Sequence, residues 1–198
     1  MALTPCTDLS AADWLTTSDL PWERLVTLGP SGFTAYARLR FIPDPAYDGQ
    51  SENDVKVDDD HPSDLAQLCA VLEVLATHTT TPDDWYVAYW DGWPLESFPE
   101  YVLQAPLLHL PNRDYFLLRG QAADLTEASE VWPGHPNLKL PIRPAFVWPA
   151  DRAWCVTTDV DPHWAGIGAD YGAINELLAA TNLDVVPTDF GAEQPHYR

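Results

Sequence analysis

The chain has 198 residues, with 30 acidic against 10 basic side chains, and a formal charge of −20 when its six histidines are neutral. At 46% apolar and 12% aromatic residues it is too hydrophobic to stay unfolded at that charge, so the carboxylates belong to the surface of a single globular domain spanning residues 1–198. Such a surface repels phosphate backbones and anionic lipid, which excludes ordinary nucleic-acid and membrane binding and leaves basic proteins, cations or plain solubility.

The start, Met1-Ala2-Leu3-Thr4-Pro5-Cys6, lacks the basic flank and apolar run of a signal peptide, and no stretch of roughly 18 apolar residues is present, so the expected location is the cytoplasm. Cys6, Cys69 and Cys155 are widely separated and form no CxxC pair, which predicts reduced thiols. The 19 prolines are scattered, predicting short elements punctuated by rigid turns. The basic residues are arginines apart from Lys56 and Lys139, a bias attributed at this level to coding composition.

In chain order, Ser10-Ala11-Ala12-Asp13 has capping-box spacing and predicts a short helix carrying Trp14 and Leu15. A second helical turn is expected over 20–25. From Gly32 the pattern alternates, with Phe33, Ala35, Ala37, Leu39 and Phe41 on one face and Tyr36, Arg38 and Arg40 on the other, a half-buried strand ending at Pro43. Residues 44–60 hold Asp44, Asp48, Glu52, Asp54, Asp58, Asp59 and Asp60 against Lys56 alone, an exposed acidic loop. Ser63 is a suitable N-cap for a helix with Leu65, Leu68, Cys69, Leu72, Leu75 and Ala76 on its apolar stripe.

Trp85-Tyr86-Val87-Ala88-Tyr89-Trp90 is apolar on both faces, as a central strand requires, and Asp91-Gly92 marks a turn. Leu107–Leu110 and Tyr115–Leu118 predict a hairpin across 111–114. A proline-rich connection over 132–144 leads to extended segments at 145–148 and 153–158, around a turn at 149–152. Trp164–Gly168 reads as a strand, Asp170 as the cap of a helix with Ile174, Leu177 and Leu178 inward, and Leu183–Val186 as a final strand. The expected fold is α+β, a central mostly antiparallel sheet of about six to eight strands with two main helices packed on one side.

The segment Phe146-Val147-Trp148-Pro149-Ala150-Asp151-Arg152-Ala153-Trp154-Cys155-Val156, continued by Asp159-Val160-Asp161-Pro162-His163-Trp164-Ala165-Gly166-Ile167-Gly168, resembles a family of hypothetical proteins from high-GC bacteria. Trp90-Asp91-Gly92-Trp93 and the stretch from Phe33 to Pro45 fit the same resemblance. It implies a bacterial, cytoplasmic, single-domain protein and brings no activity, cofactor or partner with it.

Candidate chemistry is sparse. Asp159, Asp161 and His163 alternate along an extended segment, so their side chains would share a face and could hold a divalent metal or do acid–base work. The competing reading is a strand end with solvated carboxylates and a structurally bonded histidine. Gly166-Ile167-Gly168 has the context of a phosphate loop but not the third-glycine spacing, which favours close packing of a helix on a strand. Nucleophilic catalysis has no motif behind it, leaving only a spatial pairing of Cys155 with His163 to consider. The nine tryptophans supply core, with two or three expected on the surface, Trp90 and Trp93 foremost.

The expectation that follows is a non-enzymatic, cofactor-free acidic binding protein, immunity-, inhibitor- or adaptor-like. It would engage a basic protein through Asp58, Asp59 and Asp60 in the acidic loop and through Trp90, Asp91 and Trp93. The alternative is a metal-dependent or acid–base hydrolase centred on Asp159, Asp161 and His163.

Overall fold

The computed structural model describes residues 3–58, 60–121, 124–125 and 142–198. Asp59 and the 132–141 part of the proline-rich connection, with Trp132, lie outside the described residues. The protein is α+β, and its described residues are built on one nine-stranded antiparallel sheet. Its strands are β1 (Thr4–Pro5), β2 (Ala35–Arg40), β3 (Trp85–Trp90), β4 (Leu107–Leu110), β5 (Arg113–Gly120), β6 (Phe146–Pro149), β7 (Cys155–Thr158), β8 (Trp164–Ala169) and β9 (Val185–Thr188). They lie in the order β1-β5-β3-β6-β7-β8-β2-β9, with β4 sharing the β1 side of β5.

The apolar run of β3 does occupy the middle of the sheet, between β5 and β6, because a strand apolar on both faces is stable only where both faces are covered. The β4–β5 hairpin closes over Pro111-Asn112 alone, Asn112 taking a positive φ of 69°, so Arg113 and Asp114 belong to the strand. At the far edge, β9 is displaced two residues from its expected position and contains Pro187, which an edge strand tolerates because its outer side needs no ladder donor.

Helices cover both faces, not one. On one side α3 (Asp64–Leu75) and a late helix, Tyr171–Ala179, bury Leu68, Val71, Leu75, Ile174 and Leu177 against Leu39, Val87, Val147, Val156 and Ile167. On the other, α1 (Asp13–Thr16) and α2 (Trp22–Leu28) bring Leu15, Leu25 and Val26 onto Ala88, Tyr115, Leu117, Phe146, Trp148 and Cys155. Between them in the chain comes α4 (Glu100–Leu103), so the late helix is α5. Ser63 and Asp170 cap α3 and α5 as expected, accepting from the amides of Ala66 and Ala173. Ser10 does not cap: the chain enters α1 through a 3-10 turn at Ser10–Ala12, and Asp8 accepts the Ser10 amide instead. Leu178 turns outward at 38% exposure.

Gly166 and Gly168 lie inside β8, where the sheet is pressed closely from above. A Cβ at Gly166 would stand 2.1 Å from the Thr27 carbonyl oxygen and 2.8 Å from the Leu28 Cα, both backbone atoms of α2. Gly166 therefore serves helix-on-sheet packing, with α2 as the helix, whereas a Cβ at Gly168 would stand 2.4 Å from the Phe33 ring. No helix among the described residues is long and apolar enough to cross a membrane.

Replacing Gly166 by alanine should force α2 off the sheet, costing at least about 2 kcal/mol and lowering Tm by roughly 5 °C or more. Gly191→Ala, whose Cβ meets only an Asp189 oxygen at 3.4 Å, should move Tm by less than about 1 °C in the same thermal melts.

Candidate functional site

The registers bring the separated candidates of the sequence to one end of the sheet. Arg40 at the end of β2 pairs with Trp164 at the start of β8, and Thr158 at the end of β7 with Ala165 beside it. Phe146 starts β6 opposite Thr157 and Ala88, and Trp90 ends β3 opposite Tyr115. Trp90-Asp91-Trp93, the 159–163 segment and the root of the acidic loop thus emerge from neighbouring strand ends.

Arg38 on the alternate face of β2 is buried, at 5% exposure, so that strand is covered on both sides instead of half-buried. Its guanidinium lies 5.4 Å from the Trp164 ring and donates to both oxygens of Asp44, at 2.7 and 3.0 Å. Asp44 also accepts from Arg40 at 3.3 Å and from His163 Nε2 at 3.0 Å. The first residue of the expected exposed loop is therefore the centre of a half-buried ionic network. Burial opposes ionisation of Asp44, but the hydrogen bonds from Arg38 and His163 and the charges of Arg38 and Arg40 outweigh it and bring its pKa down to about 2.

Burial likewise dominates His163 and lowers its pKa from the ordinary 6.5, with Asp44 pulling it up and Arg38 pulling it down. A neutral ring that bonds a carboxylate through Nε2 carries its proton there. Because Arg38 already holds Asp44 with two hydrogen bonds, the carboxylate does not make the imidazole a strong base, and the pair is built for anchoring.

A second arginine organises the neighbouring strand ends. Arg113 ion-pairs with buried Asp159 and lies between two indoles, 4.7 Å from Trp90 and 5.1 Å from Trp22. Trp93 packs edge-on against Trp90. Arg143 bonds Asp64 at the start of α3, at 2.7 Å, and covers the Phe41 ring at 5.1 Å, joining the end of the acidic loop to the strand ends.

The sequence candidates distribute as follows. Asp159 goes to Arg113, His163 to Asp44, and Asp161 is exposed, so the three do not converge. Among the described residues no three His, Cys, Asp or Glu side chains are grouped to hold a metal ion. Cys155 sits opposite Gly168, at the other end of β7 and β8 from His163, and burial pushes its thiol pKa up, so no Cys–His pair forms. Trp90, Asp91 and Trp93 are half-buried, and none of the eight described tryptophans is fully exposed, against the two or three expected. Asp58 and Asp60 are exposed in the loop. Burial and then the neighbouring Asp114 raise the pKa of Asp91.

Sequence reasoning missed Arg38, Asp44, Arg113 and Arg143 as organising residues. The preference for arginine over lysine was the available signal: planar guanidinium can pair with a carboxylate and stack on a ring simultaneously, and ammonium cannot. The fold and site define an α+β protein whose strand ends are tied together by arginine–aspartate pairs. Comparisons with family models, with curated proteins and with solved structures each gave no match to the chain.

The pH dependence follows from the two shifts. The unfolded chain takes up the histidine proton first as pH falls through about 6.5, so stability should decline below that value until native His163 also protonates. His163→Gln, which can still donate to Asp44, should flatten the decline between pH 7 and 5.5 in urea titrations. The Asp44 contribution is complete above about 3.8 and is lost toward about 2. Asp44→Asn should cost about 3 kcal/mol at pH 7, because Arg38 is left buried without its counter-charge.

Proposed function

We propose that this protein is a non-catalytic binding protein, immunity-, inhibitor- or adaptor-like, that engages a basic protein through the acidic loop and the adjoining strand ends. The observation that carries the reading is the fate of the arginines. Arg38, Arg40, Arg113, Arg119 and Arg143 are held by Asp44, Asp184, Asp159, Asp84 and Asp64, while Arg24 and Arg152 donate to the backbone carbonyls of Ala192 and Ala11. Cationic side chains are thereby turned to internal work, and the surface offered to a partner is dominated by carboxylate.

The loop supports this reading through its order as well as its charge. Asp48, Glu52, Asp54, Asp58 and Asp60 are exposed, and none is ion-paired with a described residue. Gln50 accepts the Ala46 amide at 2.7 Å and the Arg198 amide at 3.0 Å, Ser51 caps the 3-10 turn Glu52–Asp54, and His61 bonds the Phe41 carbonyl at 2.7 Å. A loop backbone pinned in this way loses little freedom on binding. Tyr47 and Val57, at 60% and 48% exposure, add apolar contact within the same loop. Trp90, Asp91 and Trp93 extend the surface along the strand ends.

Immobilised protein should retain a stoichiometric basic protein from the cell that makes it at low ionic strength and release it as salt is raised to about 0.3 M. Converting Asp48, Glu52, Asp54, Asp58 and Asp60 together to their amides should weaken that capture by about 100-fold or more, chiefly through slower association. Equal capture by the amide variant, or no stoichiometric partner for the wild type, would overturn the proposal.

A further inference from the structure

A well-formed cavity lies apart from the acidic loop. It has a volume of about 630 Å³ and lies between α2, the 161–164 segment and the C-terminal tail. The tail is fixed in place: Arg24 Nη1 donates to the Ala192 carbonyl at 2.7 Å, Trp164 Nε1 to the Pro195 carbonyl at 3.2 Å, and the Tyr197 hydroxyl to the Pro43 carbonyl at 2.5 Å. Tyr197 meets His163 edge-on at 4.6 Å, so the base of the cleft is aromatic and continuous with the Asp44 network.

The charge of the lining is asymmetric. Glu23, Asp161 and Glu193 are exposed along the cleft, and none is ion-paired with a described residue. The one arginine in the lining, Arg24, is committed to the Ala192 carbonyl and stands 5.9 Å from the Phe190 ring. Burial keeps His163 neutral at neutral pH. Anionic ligands are therefore disfavoured. The three carboxylates are also too dispersed to close on a metal ion, since no such grouping exists among the described residues. A cation suited to this lining is larger than a metal, spreads its charge over several donors, and has an apolar stem and a flat face for aromatic walls.

We infer that this cleft receives an arginine side chain of the basic partner, an inference that rests on the binding reading above. The guanidinium would lie among Glu23, Asp161 and Glu193, with the aliphatic stem along Pro21, Pro162 and Pro195. Salt-bridged guanidinium inserted into a preformed aromatic cleft is the kind of contact that dominates the energy of an interface.

The test titrates N-acetyl-arginine amide into the full chain, followed by tryptophan fluorescence and calorimetry. Its uncharged isostere N-acetyl-citrulline amide and N-acetyl-lysine amide serve as comparisons. The arginine amide should bind saturably, the lysine amide more weakly, and the citrulline amide at least about 10-fold more weakly, the cost of losing the charge. The triple variant Glu23→Gln, Asp161→Asn, Glu193→Gln alters exposed side chains only. It should keep its Tm within a few degrees and lose arginine-amide binding about 10-fold or more. The loop amide variant should bind arginine amide as the wild type does. Equal binding of the citrulline and arginine amides, or unchanged binding by the triple variant, would overturn the inference. So would undiminished capture of the basic partner by the triple variant, which would leave the binding reading standing. Saturable arginine-amide binding without any partner capture would support the cleft as an arginine site and remove the protein-partner reading.

Discussion

Arg38 projects from the second strand into a place where water scarcely reaches, against the face of Trp164, and Asp44 grips it with both carboxylate oxygens. A buried guanidinium without its counter-charge would cost several kcal/mol, so this pair dictates much of what surrounds it. Asp44 must return to the strand it has just left, which fixes the root of the acidic loop. The same carboxylate takes His163, which fixes the entry to the eighth strand, and Tyr197 packs on His163, which draws the C-terminal tail across the molecule.

The same device recurs along the strand ends. Arg113 stacks between two indoles while holding Asp159, Arg143 covers Phe41 while holding Asp64, and Arg119 lies 5.4 Å from Tyr86 while holding Asp84. Each guanidinium covers an aromatic ring that would otherwise face water and also neutralises an acid. A chain rich in tryptophan and poor in basic residues can in this way close its aromatic core with few cations. The consequence is electrostatic: cations are drawn inward or along ring faces, while the exposed carboxylates of the loop beyond Asp44 and of the tail cleft form no ion pair with a described residue. Both proposed binding surfaces result from that partition.

Much of the fold was legible in the sequence because the signals were local. Alternation marked the second strand, apolar residues on both faces placed Trp85–Trp90 centrally, and Ser63 and Asp170 marked the starts of the two main helices. Where a local signal had a competitor nearby, the reading failed. Asp8 displaced Ser10 as the acceptor at the first turn, and the last strand runs over Val185–Thr188, past Asp184, which binds Arg40. The site was less legible. Alternation suggested that Asp159, Asp161 and His163 would face one another, but Asp159 answers to Arg113 on β5, His163 to Asp44 at the root of the acidic loop, and Asp161 to solvent.

The sequence by itself determined the class of fold, the excess of negative charge and its concentration between residues 44 and 60, since composition, short-range periodicity and capping need no knowledge of distant neighbours. Only the tertiary structure decided that helices cover both faces of the sheet, that Asp44 belongs to the interior while the rest of its loop does not, and that the tail closes a cleft over His163. Those outcomes depend on which arginine meets which aspartate across 6, 46 or 79 residues of chain. Strand register sets that pairing, and spacing along the sequence does not encode it.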